Sequence, residues 1–384
     1  MRRLLAATWP LLLGIGFIMS GNALQGSLLG YRAAREGFAE LTMGIITCGY
    51  YVGLIAGTFL VPRIVKRVGH VRVFAALASV ATVAILVHGA FVNPPVWFLM
   101  RACTGFAYCG MYIVAESWLN DRSTNDTRGR LLSAYMIMQF GGLTIGQLLL
   151  NLEDPARFEL FALVAGLISV ATIPTLLSAG PVPRFEAPVH LSLVAFFRLS
   201  PLAVLGTFAV GAAHSVFYNM GSYYAEAIGL SAFQVSIFMT LAVLGAGLFQ
   251  WPLGRLSDRL NRRWVIAVAA LIAGLVAALA IPARVFATGP LLGLMFLFGG
   301  LALPLYSLLG AFANDRLKPE QMVAASSSIV LCYGIGAFFG PLLVGFAMGR
   351  LGPDSFLAYL AGIHLALGLF TLYRMLRRPG CRKA

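Results

Sequence analysis

Charge is scarce in this chain. Only 11% of its 384 residues are Asp, Glu, Lys or Arg, with 14 acidic against 28 basic side chains. Because 59% of the sequence is hydrophobic and its mean hydropathy is +0.85, the apolar surface exceeds what a soluble core of this size can hide. Cysteine is scarce too. Cys48, Cys103, Cys109, Cys332 and Cys381 are scattered, and the absence of a CxxC or Cys/His spacing argues against a zinc site or a disulfide framework. No Gly-rich phosphate loop follows a strand, so ATP-driven pumping has no support, and Ser326–Ser328 has no His and Asp partners at an aqueous surface. The loops are too short to hold a soluble catalytic domain. No enzyme activity, cofactor or metal is expected.

What remains is long apolar runs. About 20 apolar residues span the roughly 30 Å of hydrocarbon, and cutting the runs at Gly, Pro and charged breaks leaves twelve: 5–31, 38–61, 71–92, 97–119, 131–151, 158–178, 201–224, 231–252, 264–283, 289–312, 323–349 and 355–373. Backbone groups find no water in the bilayer, so each run must be helical. The fold class is an all-α integral membrane protein with twelve transmembrane helices.

A net charge of +14 suggests nucleic acid in a soluble protein, but here the location of the charge decides. Apart from Arg32, Arg35, Arg101, Arg157, Arg284 and Arg350, every Lys and Arg falls in the tails or in alternate loops. The positive-inside rule then puts both termini in the cytoplasm, with the basic loops beside anionic lipid; the expected location is a bacterial inner membrane. No nucleic-acid partner is needed. Arg2-Arg3 with Leu4–Ile18 could pass for a signal peptide, but that segment has a counterpart later in the chain.

Two halves repeat. At an offset of 192 residues, Gly37 falls on Gly229, Asn22 on His214 and Lys66 on Asp258; at 194, Asn120-Asp121-Arg122 falls on Asn314-Asp315-Arg316 and Gly146 on Gly340. A duplication of six spans accounts for this. It gives an N-terminal bundle over 1–178, a Pro-rich cytoplasmic linker over 179–200 and a C-terminal bundle over 201–384. Within the linker, Leu191–Arg198 reads as a short amphipathic helix on the inner membrane surface. Gly53 with Gly57, and Gly142 with Gly146, make small-xxx-small faces for close helix contact.

The basic hairpins carry a resemblance. Gly254, Leu256, Asp258, Arg259, Arg262 and Arg263 match the Gly-x-Leu-x-Asp-Arg-x-Gly-Arg-Arg loop of the major facilitator superfamily, with Asn261 at the usual glycine. The first copy keeps Arg67 and Gly69 but has Lys66 at the aspartate. Arg101 and Gly105 resemble the RxxxG motif of proton-coupled members. Gly142 and Gly146 partly match an antiporter pattern, with Gln147 at the usual proline. Glu116–Arg122 with Arg128-Gly129, and Asn314–Arg316 with Met322–Ala324, resemble a YcaD-like bacterial branch. The resemblance implies two pseudo-symmetric six-helix bundles and gating by the basic hairpins.

Rocking bundles need inner contacts that form in one state and break in the other, which nominates Lys66, Arg67, Asp121, Arg130, Asp258, Arg259, Arg262 and Asp315 as a cytoplasmic gate. Glu116, the one carboxylate well inside an apolar span, is either a proton carrier or a gate residue paired with Arg67 or Arg130. Arg101, about 22 Å along the helix from Glu116 at 1.5 Å per residue, either attracts an anionic group or snorkels to the outer surface. His214, with Tyr218 one turn on, is either a titrating cavity group or a packing residue. His88 and His364 lack that support, and His70 reads as a loop residue. Asn22, Gln25, Tyr51, Tyr108, Tyr112, Gln139, Asn219, Gln250, Tyr306 and Tyr333 complete the candidate substrate cavity, where tyrosines suit an amphipathic organic molecule.

The expected function is secondary active transport of a small organic solute, coupled to protons. Efflux of an amphipathic compound is the first reading; the alternatives are uptake of an anionic metabolite and a non-transporting scaffold or lipid-handling protein of the same fold. The expected partners are the solute, protons and lipid, and the expected state is a monomer.

Overall fold

The computed structural model describes residues 2–121, 128–177, 193–315 and 319–377. The linker expected over 179–200 therefore lies largely outside the described residues, as do the side chains of Asp121 and Arg130.

Among the described residues the regular elements are all helical. The first half runs α1 (Arg2–Arg35), α2 (Glu40–Val68), α3 (His70–Ala90), α4 (Pro94–Asp121), α5 (Arg128–Leu148) and α6 (Glu159–Leu177). A short α7 (Leu193–Leu199) follows, overlapping the amphipathic segment foreseen over Leu191–Arg198. The second half runs α8 (Pro201–Ala227), α9 (Ala232–Arg259), α10 (Arg262–Phe286), α11 (Thr288–Ala302), α12 (Leu305–Asn314), α13 (Pro319–Leu351) and α14 (Ser355–Arg377). Eleven stretches are long and apolar enough to cross a membrane, with α11 and α12 forming one of them. The 19-residue α6 supplies the twelfth span; its apolar stretch, Glu159–Pro174, is the shortest.

The basic hairpins are tighter than their composition suggests. Lys66 and Arg67 sit in the last turn of α2, and Asp258 and Arg259 in the last turn of α9, so one residue separates α2 from α3 and two separate α9 from α10. Gly69 closes the first at φ 92°, a left-handed conformation that glycine adopts without strain. Asn261 occupies the corresponding place in the second with φ −64°, and its side chain instead accepts from the Arg263 N–H at 3.1 Å, capping α10. At the opposite end of the spans, Gly37 (φ 73°) and Gly229 (φ 86°) make the same left-handed turn 192 residues apart.

Contacts divide the chain into two compact units, Met1–Ala187 with Tyr218–Thr240, and Pro188–Phe217 with Leu241–Ala384. In the first, α2 packs on α4, and α1 on α5 and α6. Glycine lets these backbones touch: a Cβ on Gly53 would strike the Ala102 carbonyl, one on Gly105 the Tyr50 carbonyl, and one on Gly146 the Ser20 carbonyl. The second unit repeats each contact at the offset positions, with Gly245 against Phe296, Gly299 against Ala242 and Gly340 against Ala212. Lipid-facing helices gain nothing by burying apolar surface, so close packing of small residues carries the association. The repeat read from sequence is thus reproduced contact by contact inside the two units.

The end of α8 and the start of α9 join the first unit through α1. Tyr223 donates its hydroxyl to the Phe38 carbonyl at 2.7 Å, a Cβ on Gly26 would lie 3.2 Å from the Tyr218 carbonyl, and Gly30 sits against Ser222. Asn151 reaches Ser236 at 2.7 Å, and Ser236 donates to the Gln147 carbonyl at 2.7 Å.

Candidate functional site

A polar cluster stands inside the first unit, built from α1, α2, α4 and the part of α8 that packs there. Arg101 is its centre. The side chain lies one to two turns into α4 and is only 2% exposed, so it does not snorkel to a membrane surface. Its guanidinium lies 4.5 Å from the Tyr50 ring centroid, in cation–π contact, and its Nη2 donates to the side-chain oxygen of Asn219. Asn219 in turn donates to the Tyr51 hydroxyl at 3.2 Å. Nε and Nη1 of Arg101 have no hydrogen-bond partner among the described residues, and no carboxylate there pairs with it.

Around this cation the other polar groups are buried and only partly satisfied. The hydroxyl of Tyr108 lacks a partner among the described residues, as do both amide atoms of Gln25 on α1, while Asn22 donates to the Tyr112 hydroxyl at 2.9 Å. Tyr50, Tyr51, Tyr108 and Tyr112 form a continuous aromatic wall, with ring centroids of neighbours 5.2, 6.4 and 6.1 Å apart. A buried, unpaired charge costs several kcal/mol after relaxation, and unmet buried donors add to that cost. The arrangement presents N–H groups and phenols that an anionic molecule with an apolar body would satisfy. Sequence reasoning named Asn22, Tyr51, Arg101, Tyr108, Tyr112 and Asn219, and the structure brings them together through these contacts; Gln25, named with them, is buried on α1. That reasoning passed over Tyr50, the residue that covers the cation; the signal was the neighbouring Tyr51 one helix away from the RxxxG motif.

The basic end of the first unit holds Glu116 and His70. Glu116 is accessible and accepts a hydrogen bond from the Tyr135 hydroxyl at 3.0 Å, with Gln139 one turn further along α5. It makes no ion pair with Arg67. His70 corrects the sequence reading. Rather than lying in a loop it starts α3, is 2% exposed, sits 3.1 Å from the Ser117 hydroxyl and stacks on Trp118 at 6.2 Å.

Within the second unit, His214 is 6% exposed and its Nε2 lies 3.4 Å from the Ala302 carbonyl. Its ring meets Tyr333 edge-on at 5.9 Å, and Tyr333 meets Tyr306 at 5.2 Å. Ala302 ends α11, where the tenth span breaks at Leu303-Pro304 before α12 begins. The break went unread in the sequence although Pro304 marks it: proline has no N–H to continue the ladder. Tyr218 is half-buried in the first unit, and Gln250 donates to Ser307 at 2.9 Å in the second. His88 and His364 turn one ring nitrogen to the carbonyl four residues back, at 2.8 and 2.7 Å.

At the basic end of the second unit, Arg262 bridges two acids, Asp258 at 2.7 Å and Asp315 at 3.2 Å. Arg259 and Asp258 are exposed beside it. Among the described residues no group of His, Cys, Asp and Glu is placed to hold a metal.

The comparisons with known proteins place this arrangement. The family profile of the Major Facilitator Superfamily matches residues 11–200 and 203–383, and the chain belongs to that family: it is a multi-pass membrane protein of the transporter class. It is 25% identical over 374 residues, 96% of this chain and 95% of the relative, to the MFS-type transporter YcaD of Escherichia coli O139:H28. It is 24% identical over 372 residues to the YcaD of Salmonella arizonae, with the same coverage. In fold it is similar to the crystal structure of the nucleoside transporter NupG, with a TM-score of 0.78, 16% identity, and 96% and 99% of the two chains covered. It is also similar to a bacterial homologue of the human lysosomal transporter Spinster in an inward-facing, occupied conformation, with a TM-score of 0.71, 14% identity and 94% of each chain covered.

Proposed function

We propose that this protein is a secondary active transporter that takes up a small organic anion across the bacterial inner membrane, by alternating access and together with protons. The single observation that carries the reading is Arg101: a buried guanidinium, capped by Tyr50 and held by Asn219, with two nitrogens unpartnered and no carboxylate paired to it among the described residues. This favours an anionic solute, the alternative in the sequence reading, over the amphipathic compound that reading puts first. The tyrosine wall adds that the anion carries an apolar or aromatic body. In this reading Asn22 and Tyr108 orient that body.

Moving one negative charge inward opposes a membrane potential at about 2.3 kcal/mol per 100 mV. Uptake of an anion therefore needs at least one proton for each charge. Glu116 is the proton site in this proposal, since it is an accessible carboxylate in an apolar span held by one phenol donor. The cytoplasmic gate is assigned to the Asp258–Arg262–Asp315 network in the second half and to the Lys66–Arg67 turn in the first.

Thermal unfolding of the purified protein against a panel of organic anions and their amides or esters tests the reading. Ligands that bind only the folded state raise stability as RT ln(1 + [L]/Kd). Carboxylates with apolar bodies should raise the melting temperature of the wild type and leave Arg101→Gln unmoved. Equal stabilisation by the neutral analogues, in both proteins, would overturn the anionic assignment.

A further inference from the structure

At the basic end of the second unit the turn Leu199–Leu202, between α7 and α8, lines a cavity of about 60 Å³ together with Arg263, Phe312 and Arg374. That volume exceeds the 10–15 Å³ a single water needs. Its polar character is one-sided. Arg263 starts α10 and Arg374 lies in the last turns of α14, so two guanidinium groups from different helices line it, and no Asp or Glu does. Arg263 is held 5.7 Å from the Phe312 ring centroid.

Two further features point to an anion. The hydroxyl of Ser200, a residue 3% exposed on the cavity wall, has no hydrogen-bond partner among the described residues. The 27-residue α8 begins next to it at Pro201, itself a lining residue, which puts the positive end of the helix dipole beside the cavity. Two cations, an unmet hydroxyl and a helix start form a donor set suited to the three or four oxygens of a phosphate, which arginine grips with paired N–H groups. Beside the cavity, Phe197 and Leu199 are 43% and 46% exposed and Arg198 is exposed. The flank is therefore apolar, as an acyl chain requires.

The geometry points to a binding site for a phosphate ester anion, supplied by the head group of an anionic phospholipid in the leaflet that meets the basic hairpins. Basic pockets between helix ends are suited to such head groups. The site is separate from Arg101 and does not depend on the transported solute. Phosphate held there ties the starts of α8 and α10 to the end of α14, so occupancy links the composition of the membrane to the helices that carry the Arg262 network.

The test uses full-length protein in nanodiscs of phosphatidylcholine alone or doped with phosphatidylglycerol. Native mass spectrometry after release counts retained lipid, and melting curves are recorded in parallel with inorganic phosphate as a soluble competitor. Wild type should retain phosphatidylglycerol and melt higher in the doped discs. Arg263→Gln/Arg374→Gln should lose that retention by about tenfold or more, Ser200→Ala by less, and Arg374→Lys should be intermediate because it keeps charge without the fork. If the double variant does not fold, Ser200→Ala and Arg374→Gln singly give the same readout. Wild-type retention in those variants overturns the site. Stabilisation by inorganic phosphate without retention of phosphatidylglycerol overturns the lipid assignment.

Discussion

Asn219 joins two parts of the sequence: it accepts from Nη2 of Arg101 and donates to the hydroxyl of Tyr51, although it lies 118 residues beyond the arginine. A charge-assisted bond of this kind contributes about 1.5–3 kcal/mol. Asn219→Ala should therefore leave a protein that folds and transports, with apparent affinity for its anion weakened about tenfold or more. Initial uptake rates over a range of solute concentrations, in proteoliposomes, check this. An unchanged KM sinks the idea that Asn219 aims the guanidinium.

Arg101 itself sets function against stability. Because no carboxylate among the described residues pairs with this buried cation, Arg101→Met should melt higher than wild type while losing transport. Arg101→Lys should retain a small fraction of uptake, as an ammonium preserves charge but not the planar fork. A lower melting temperature for Arg101→Met, with transport retained, assigns the residue a structural role instead.

For the proton, Glu116→Gln should abolish accumulation driven by a pH gradient while leaving counterflow of pre-loaded solute. Tyr135→Phe removes the one phenol that meets the carboxylate and should shift the pH profile of uptake without abolishing it. Proton dependence that survives Glu116→Gln excludes the carrier role and leaves this carboxylate to the gate.

The Arg262 network is a matter of rate. Asp258 and Asp315 are 71% and 41% exposed at their side chains, and exposed pairs contribute about 0–1 kcal/mol. Arg262→Gln should thus move the melting curve little, yet change the turnover rate and its dependence on ionic strength. A large fall in stability with normal turnover points to packing rather than gating.

Glycine contacts predict a matched pair of effects. Gly53→Ala and Gly245→Ala each drive a methyl into a facing carbonyl, that of Ala102 or Phe296, whereas Gly141 has nothing within 4 Å of a new Cβ. The first two should each cost about 1–3 kcal/mol and Gly141→Ala should be close to neutral. Melting temperatures of the three variants decide it.

The spans were legible because each depends on one quantity, apolar length, and the repeat because glycine at a carbonyl contact tolerates no substitute, so Gly53 and Gly245 or Gly146 and Gly340 keep their spacing. Most residues of the polar cluster around Arg101 were legible as polar or phenolic groups in apolar runs. Tyr50 was not, since its role exists only once α2 meets α4 and sets its ring over Arg101. His70 was misread for a related reason: it follows Gly69 in a charged stretch, and only the packing of α3 against α4 reveals that Ser117 and Trp118 enclose it. The interruption at Leu303-Pro304 was hidden by the hydrophobicity of the residues on both sides.

The one-residue connection between α2 and α3 leaves no slack. Neither helix can slide or swivel along its partner without tearing the turn at Gly69, and the short Leu260-Asn261 link imposes nearly the same restraint on α9 and α10. In the alternating-access cycle proposed above, each hairpin would therefore move as one stiff lever, its charged tip included.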